Sequence, residues 1–146
     1  MVRRKPLKLA AQDADDLAVI SAALQDAVAQ LGDLRFDRRR RRFTAVLNRF
    51  RWEDKGPGQA WRTRSALDFS SVLSASSKRL KQDSPGAIVS LLAVTFEPGE
   101  TPGGRVRLSF SGGGEMQLEV ECIDALLADI SVPWPAKGRP SHETPE

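Results

Sequence analysis

Five consecutive arginines, Arg38–Arg42, are the residues of this sequence whose type and spacing most clearly suggest chemistry. A guanidinium group is always charged and donates paired hydrogen bonds to phosphate and carboxylate oxygens. The run therefore predicts salt-sensitive contacts with a polyanion, which would carry no sequence information. If residues 33–37 and 42–52 form neighbouring antiparallel strands, the run lies at the tip of their hairpin. A solvated turn whose charges discourage edge-to-edge aggregation is the other interpretation, and both stay open.

More arginines and tryptophans surround a predicted loop at residues 53–60. Aromatic rings interleaved with guanidinium groups could stack the bases of a single nucleic-acid strand. Strand alternation favours a different interpretation, because Phe50 and Trp52 share one face and the arginines between and before them share the other. The rings would then be core, and the guanidinium groups would point outward. The candidate polyanion-binding residues are Arg38, Arg39, Arg40, Arg41, Arg42, Arg49, Arg51, Arg62 and Arg64.

Residues of the kinds used in catalysis are few and are not arranged as a catalytic site. Cys122 lies near the start of a predicted helix, where a thiolate is favoured, but the single histidine, His142, is in the C-terminal tail. Glu119 and Glu121 face outward opposite two arginines, which favours ion pairs over acid–base chemistry. The glycine run at 111–116 lacks the Lys-Ser/Thr ending of a phosphate-binding loop and predicts a hairpin turn. We therefore predict no catalytic, cofactor-binding or metal-binding residues, and a protein that is not an enzyme.

The overall composition predicts one domain whose core needs neither metal nor disulfide, since the chain has 146 residues and one cysteine. No apolar run approaches the ~20 residues of a membrane span, and the basic N-terminus lacks the apolar stretch of a secretory signal. These features predict a cytoplasmic protein. The net charge is +3, but residues 1–64 carry 15 Lys and Arg against 8 Asp and Glu, whereas residues 65–146 carry 7 against 11. The basic first half permits an acidic partner.

Hydrophobic periodicity predicts the elements that would position these residues. Alternation predicts a first strand at 6–12, and three- and four-residue spacing then predicts a helix over 14–30 with Asp13 as its N-cap. Alternation or continuous apolar character predicts the later strands, and helical spacing predicts a second helix at 122–130. The later strands are predicted at 33–37, 42–52, 61–76 and 87–98 and in the two arms of a hairpin at 105–121.

This order of elements predicts an α+β fold. We expect a bent antiparallel sheet of seven strands or a partly open barrel, with a helix after strand 1 and a C-terminal capping helix. Residues 1–5 would be a basic N-terminal extension and residues 6–132 a single domain. The proline-rich residues 133–146 are predicted to be a disordered tail.

Four segments between Leu7 and Trp134 are distinctive: LKLAAQDADDLAVISAALQDAV, LGDLRF, LNRFRWE and GGGEMQLEVECIDALLADI. Together they resemble a small bacterial family, domain of unknown function 2948. That resemblance implies neither an activity nor particular functional residues. The ending EMQLEVECIDALLADI also resembles the last strand and C-terminal helix of the pleckstrin-homology-like architecture, which by analogy would imply a binding module.

Three functions are compatible with these patterns. The first is a non-catalytic interaction domain that docks a protein partner on its sheet or in the groove beside the C-terminal helix. The second is nucleic-acid binding, chiefly of RNA, through the arginine-rich hairpin tip. The third is a small-molecule enzyme, which would need a deep pocket with convergent polar groups. The scarcity of reactive groups favours the first, and the sequence names neither a partner nor an oligomeric state.

Overall fold

The computed structural model describes residues 5–54, 57–81 and 83–137, which form eleven β-strands, one α-helix and one short 3-10 helix. In chain order the elements are β1 (Lys8–Ala11), α1 (Ala14–Ala23), β2 (Val28–Gln30), the 3-10 helix (Leu31–Asp33), β3 (Leu34–Asp37), β4 (Arg42–Phe50), β5 (Trp61–Phe69), β6 (Val72–Lys78), β7 (Ile88–Pro98), β8 (Gly104–Phe110), β9 (Glu115–Val120), β10 (Ala125–Asp129) and β11 (Trp134–Pro135).

All the paired strands are antiparallel and join in one bent sheet. Its order is β1-β10-β5-β4-β2-β7-β8-β9-β6, with β3 added beside β4 and β11 beside β5. The end strand β6 returns toward β4, where the Val72 N–H donates to the Arg41 carbonyl at 2.9 Å. β3 and β6 do not pair with each other, so the sheet curves around a core without closing into a barrel.

The core lies inside this curve, because alternate residues of the central strands point inward. Phe43, Phe69 and Phe110 are almost completely buried there. The helix α1 packs against β1 and β7 and adds Leu17 and Ile20 to the same core. At ten residues it is far too short to cross a membrane, and the described ranges contain no longer helix.

Local sequence explains both ends of α1. Asp13 is the N-cap, as predicted, and its Oδ1 accepts the Asp16 N–H at 2.7 Å. The helix ends at Ala23, well before the predicted residue 30, because Asp26 takes a left-handed conformation with φ 65°. Val28, which continues the helical spacing in the sequence, instead begins β2.

The predicted α+β fold with two helices and seven strands is wrong. The segment 122–130, predicted as a capping helix, contains the strand β10. Its inward residues are Ala125, Leu127 and Asp129, and because one is small and one is charged, their alternation is hidden in the sequence. The outward Leu126 completes an apparent helical pattern. The helix that the pleckstrin-homology-like resemblance implied is therefore a strand in this molecule.

Two other predicted boundaries differ from the structure, and two predicted hairpins are confirmed. The single strand expected at 61–76 is divided into β5 and β6 at Ser70 and Ser71, where Ser71 has φ 60°. Within the tail predicted at 133–146, β11 pairs with Trp61 and Arg62 of β5. The rest of that tail, residues 138–146, lies outside the described ranges, as do residues 1–4 of the predicted N-terminal extension. The β3–β4 and β8–β9 hairpins form where alternation placed them.

Candidate functional site

A cleft of about 340 Å³ separates β3 from β6. Within the described part of the chain, β3 forms a ladder only with β4, and β6 only with β9. Each strand therefore presents its second backbone edge toward the cleft. Most of the lining side chains are apolar, including Leu34 and Phe36 from β3, Ala75 from β6 and Met116 from β9, although nearly half of the exposed wall is polar. The cleft combines two strand edges with a lining of mostly apolar side chains.

The two ends of the cleft are fixed by backbone hydrogen bonds. At the narrow end, the Arg41 carbonyl joins the start of β6, and the Arg41 guanidinium pairs with Glu121 at 2.7 Å. At the other end, the Gly32 N–H donates to the Pro85 carbonyl at 2.8 Å, which ties the 3-10 helix to the β6–β7 connection. A side chain at Gly32 would come within 3.1 Å of Pro85 Cβ, so this contact favours glycine.

The arginine run forms the turn between β3 and β4 at the narrow end of the cleft. Asp37 Oδ1 accepts the Arg40 N–H at 3.1 Å, and Arg41 takes φ 53° to close the turn. All five arginines are exposed. Arg38, Arg39 and Arg42 have no carboxylate partner among the described residues, so their charges are available to a ligand.

Arg35 was not among the predicted residues, yet it belongs with this group. Arg35, Arg38, Arg40 and Arg42 line one shallow concavity on the outer side of the β3–β4 hairpin. Arg35 precedes Asp37 by two residues on β3 and shares its outward direction. That alternation, extended from the arginine run back into β3, is the sequence signal that could have identified it.

Arg49 and Arg51 lie inside the molecule, contrary to the outward direction predicted for them. Arg49 has no exposed surface and Arg51 is 3% exposed. The prediction that Arg49 and Phe50 face opposite sides of the sheet is confirmed, but the sides are reversed. Arg49 shares the inner face with Phe43 and Leu47. Phe50 faces the other way and is covered by the Trp52 ring at 4.6 Å. These two arginines are therefore unavailable to an external polyanion.

The buried Arg49 guanidinium forms the centre of an ionic cluster with the buried Asp129 and the partly exposed Glu53. Nε and Nη2 donate to the two Asp129 carboxylate oxygens at 2.9 Å each. Nη1 and Nη2 donate to Glu53 at 2.9 and 2.6 Å. Asp129 also accepts the Leu7 N–H and the Ser65 hydroxyl, both at 2.7 Å. The cluster thus joins the chain near β1 to the ends of β4 and β10.

The pKa values in this cluster are governed by the balance of burial and hydrogen bonding. Burial alone disfavours charge on Asp129, but the bonds from Arg49, Leu7 and Ser65 outweigh it and lower the pKa of this carboxyl. Burial is likewise outweighed at Glu53, whose pKa is lowered chiefly by Arg49. Burial would lower the pKa of Arg49, but its two carboxylate partners raise it instead. All three groups are held in their charged forms.

A family model described as a protein of unknown function, DUF2948, matches residues 7–142. The chain belongs to this family. The resemblance proposed from the four sequence segments is confirmed, and the DUF2948 match spans the cleft, the arginine turn and the ionic cluster. No curated protein and no solved structure matches the chain.

The remaining predicted residues of this DUF2948 chain are dispersed. Arg62 and Arg64 project from the outer face of β5, where the Arg62 guanidinium lies 5.8 Å from the Phe50 ring centre. Glu119 pairs with Arg105 at 2.6 Å. Cys122 is half-buried, and His142 lies outside the described residues. No group of three or more potential metal ligands occurs in the described ranges.

Proposed function

We propose that this protein is a non-catalytic docking domain that binds an extended segment of a partner protein in the cleft between β3 and β6. The observation that supports the proposal is the pair of strand edges on either side of one cleft lined by mostly apolar side chains. An exposed edge binds an extended peptide through main-chain hydrogen bonds, while alternate side chains of the peptide enter pockets beside it. The segment would lie between the two strands and extend the sheet.

The lining and charges of the cleft indicate the chemistry of that segment. Side chains that point inward would meet Leu34, Phe36 and Met116, so apolar residues should occupy every second position. Unpaired arginines lie at the narrow end, and exposed basic side chains lie at and just after the end of β6, at the other end of the cleft. The latter are Lys78, Arg79 and Lys81. Acidic residues on both sides of the apolar positions would complement these charges.

The proposal can be tested with a displayed library of random ten-residue peptides sorted on the purified protein. Peptides that bind should alternate apolar and polar residues and carry acidic ends. Ala75→Trp fills the cleft from β6 and should weaken their binding at least about tenfold, or ~1.4 kcal/mol. Leu73→Trp is the matched control, because Leu73 is on the same strand but is 49% exposed; its binding should equal that of the wild type.

Two results would contradict the proposal. One is the recovery of no binding peptide from the sorted library. The other is equal affinity of the recovered peptides for the wild type and the Ala75→Trp variant. Circular dichroism of each variant establishes that its fold is intact before affinities are compared.

A further inference from the structure

The outer face of β4, β5 and their neighbours is a second surface, separate from the cleft. Cross-strand pairs define its rows: Phe50, Arg62 and Trp134 form one row, and Asn48 and Arg64 form the next. The following row consists of Val46, Ala66 and Ala128. The helix α1 packs elsewhere, against β1 and β7. Phe50 is fully buried beside Trp52 and Arg62, and the accessible surface of this face comes from the exposed Arg64 and the half-buried Asn48, Arg62 and Trp134.

We propose that this face binds single-stranded nucleic acid along the length of β4. The inference does not depend on peptide binding in the cleft. It extends the arginine-turn hypothesis, because the turn forms one end of a path along β4 and Arg62 and Arg64 form the other end. We call this path the track.

The charges are spaced along this track. Arg42 begins β4, and Arg64 pairs across from Asn48, six residues farther along the strand. At ~3.4 Å per residue the backbone positions of the two arginines are separated by about 20 Å along the sheet. The concavity formed by Arg35, Arg38, Arg40 and Arg42 lies at the first end. Arginines at both ends match a chain of phosphates longer than a single small anion.

The centre of the track is flat and only weakly acidic. Small side chains at Ala66 and Ala128 leave room for a bound strand to approach the sheet. The Asp68 carboxylate lies nearby, but its Oδ1 already accepts the Thr44 hydroxyl at 2.7 Å. Two further carboxylates lie near the ends of the track, Asp37 in the first concavity and Asp33 beside Arg64. The arginines along the same path outnumber these three carboxylates. They are Arg35, Arg38, Arg40, Arg42, Arg62 and Arg64.

Trp134 gives this face an aromatic group on which a base could stack. It is half-buried beside Arg62 at the far end of the track. Aromatic rings and planar guanidinium groups bind bases of any sequence by stacking. A charged path with one stacking position favours binding without strong sequence preference.

The width of the face favours a single strand over a duplex. Four adjacent strands, β1, β10, β5 and β4, lie side by side. At ~4.8 Å between neighbours they span about 14 Å before side chains are added. The major groove of B-form DNA is about 12 Å wide and accepts a helix or a two-stranded ribbon. This sheet is too broad to enter the groove.

The test measures binding of fluorescein-labelled probes by anisotropy between ~50 and ~200 mM salt. The probes are a 20-nucleotide oligouridine, the corresponding oligothymidine and a 20-base-pair duplex. We expect both single strands to bind more tightly than the duplex, with affinity that falls as salt rises. The two single-stranded probes distinguish RNA from DNA: tighter binding of oligouridine would indicate contacts to the ribose hydroxyl.

Substitutions locate the binding on this face. Each phosphate contact contributes about −0.7 to the slope of log affinity against log salt for a single strand. The double variant Arg42→Ser/Arg64→Ser should therefore make the slope shallower by about 1.4. The control Arg105→Ser/Arg107→Ser also removes two positive charges, but from β8 in the other part of the sheet, and should leave the slope unchanged. Trp134→Leu should reduce affinity about fivefold or more without changing the slope.

Three results would overturn the proposal. The first is the absence of binding to either single strand at 50 mM salt. The second is duplex binding as tight as single-strand binding. The third is an equal change of slope in the two double variants, which would mean that overall charge, and not this face, attracts the probe.

Discussion

Arg49 illustrates how a single residue can contradict the usual relation between charge and exposure. It donates five hydrogen bonds, two each to Asp129 and Glu53 and one to the Phe50 carbonyl, so every guanidinium N–H has an acceptor. Its inward direction follows from strand alternation, which places residue 49 on the same face as Leu47. A lysine could not reproduce this pattern, because it has three donors and no planar fork.

Removal of this guanidinium should be much more costly than removal of an exposed one. In Arg49→Met, Asp129 would keep a buried charge without its main partner, and the free energy of unfolding should fall by ~3–5 kcal/mol. Arg41→Met breaks the exposed pair with Glu121, whose side chains are 60% and 49% exposed, and should cost under ~1 kcal/mol. Urea unfolding followed by tryptophan fluorescence compares the two; equal losses would contradict the assignment of Arg49 as a structural centre.

At the scale of secondary-structure elements, a strand could be predicted from the sequence only where apolar and polar residues alternate clearly. The β8–β9 hairpin was predictable because large apolar residues such as Leu108 and Leu118 alternate with charged ones. The strand β10 was not, because its inward positions include Ala125 and Asp129. Asp129 can be buried because it pairs with an arginine 80 residues away in the sequence. Local periodicity carries no information about such a partner. The same limit concealed the inward direction of Arg49.

The candidate surfaces were predictable only in part for a related reason. The exposed arginines of the turn could be found from composition and a hairpin pattern. The cleft could not, since it depends on which strands fail to pair. Residues 61–76 read as one continuous strand, but the break at Ser71 sends β6 to the far end of the sheet. Only this tertiary arrangement creates two edges that face each other.

The β7–β8 hairpin contains a glycine that the packing of the element requires. A Cβ atom at Gly104 would overlap the Glu97 carbonyl oxygen and come within 2.6 Å of the Phe96 ring. Gly104→Ala should therefore shift the hairpin and lower the free energy of unfolding by ~1–3 kcal/mol. Gly86→Ala is the control, since a Cβ there meets nothing within 4 Å, and we expect it to be neutral or stabilising by up to ~1 kcal/mol. Thermal and urea unfolding measure both; an unaffected Gly104→Ala variant would exclude this close packing.

At the scale of the whole molecule, the ionic cluster should make the free energy of unfolding depend on pH. Asp129 and Glu53 both have lowered pKa values in the folded state, from ordinary values of 3.8 and 4.5. As pH falls below about 5, the unfolded chain takes up protons that the folded cluster still excludes. The free energy of unfolding should therefore be highest above that pH and decrease progressively as pH is lowered toward 3.

Urea unfolding at a series of pH values measures this dependence. Glu53→Gln removes one of the two titrating carboxylates and keeps the side-chain shape, so its decrease between pH 5 and 3 should be less steep than that of the wild type. A wild-type protein whose unfolding free energy stays constant or rises over this interval would show that the cluster is not linked to global stability.

The position of β10 between β1 and β5 has a consequence for biosynthesis. The ribosome makes β1 and β5 before β10, and both must wait for β10 because it pairs with both of them. Until then the nascent chain exposes two unsatisfied sheet edges and lacks the carboxylate that Arg49 requires. Since translation adds about 5–20 residues per second, this interval lasts for seconds, during which chaperones could bind the incomplete sheet. A stop codon before β10 would therefore remove the strand that joins the beginning of the chain to its middle.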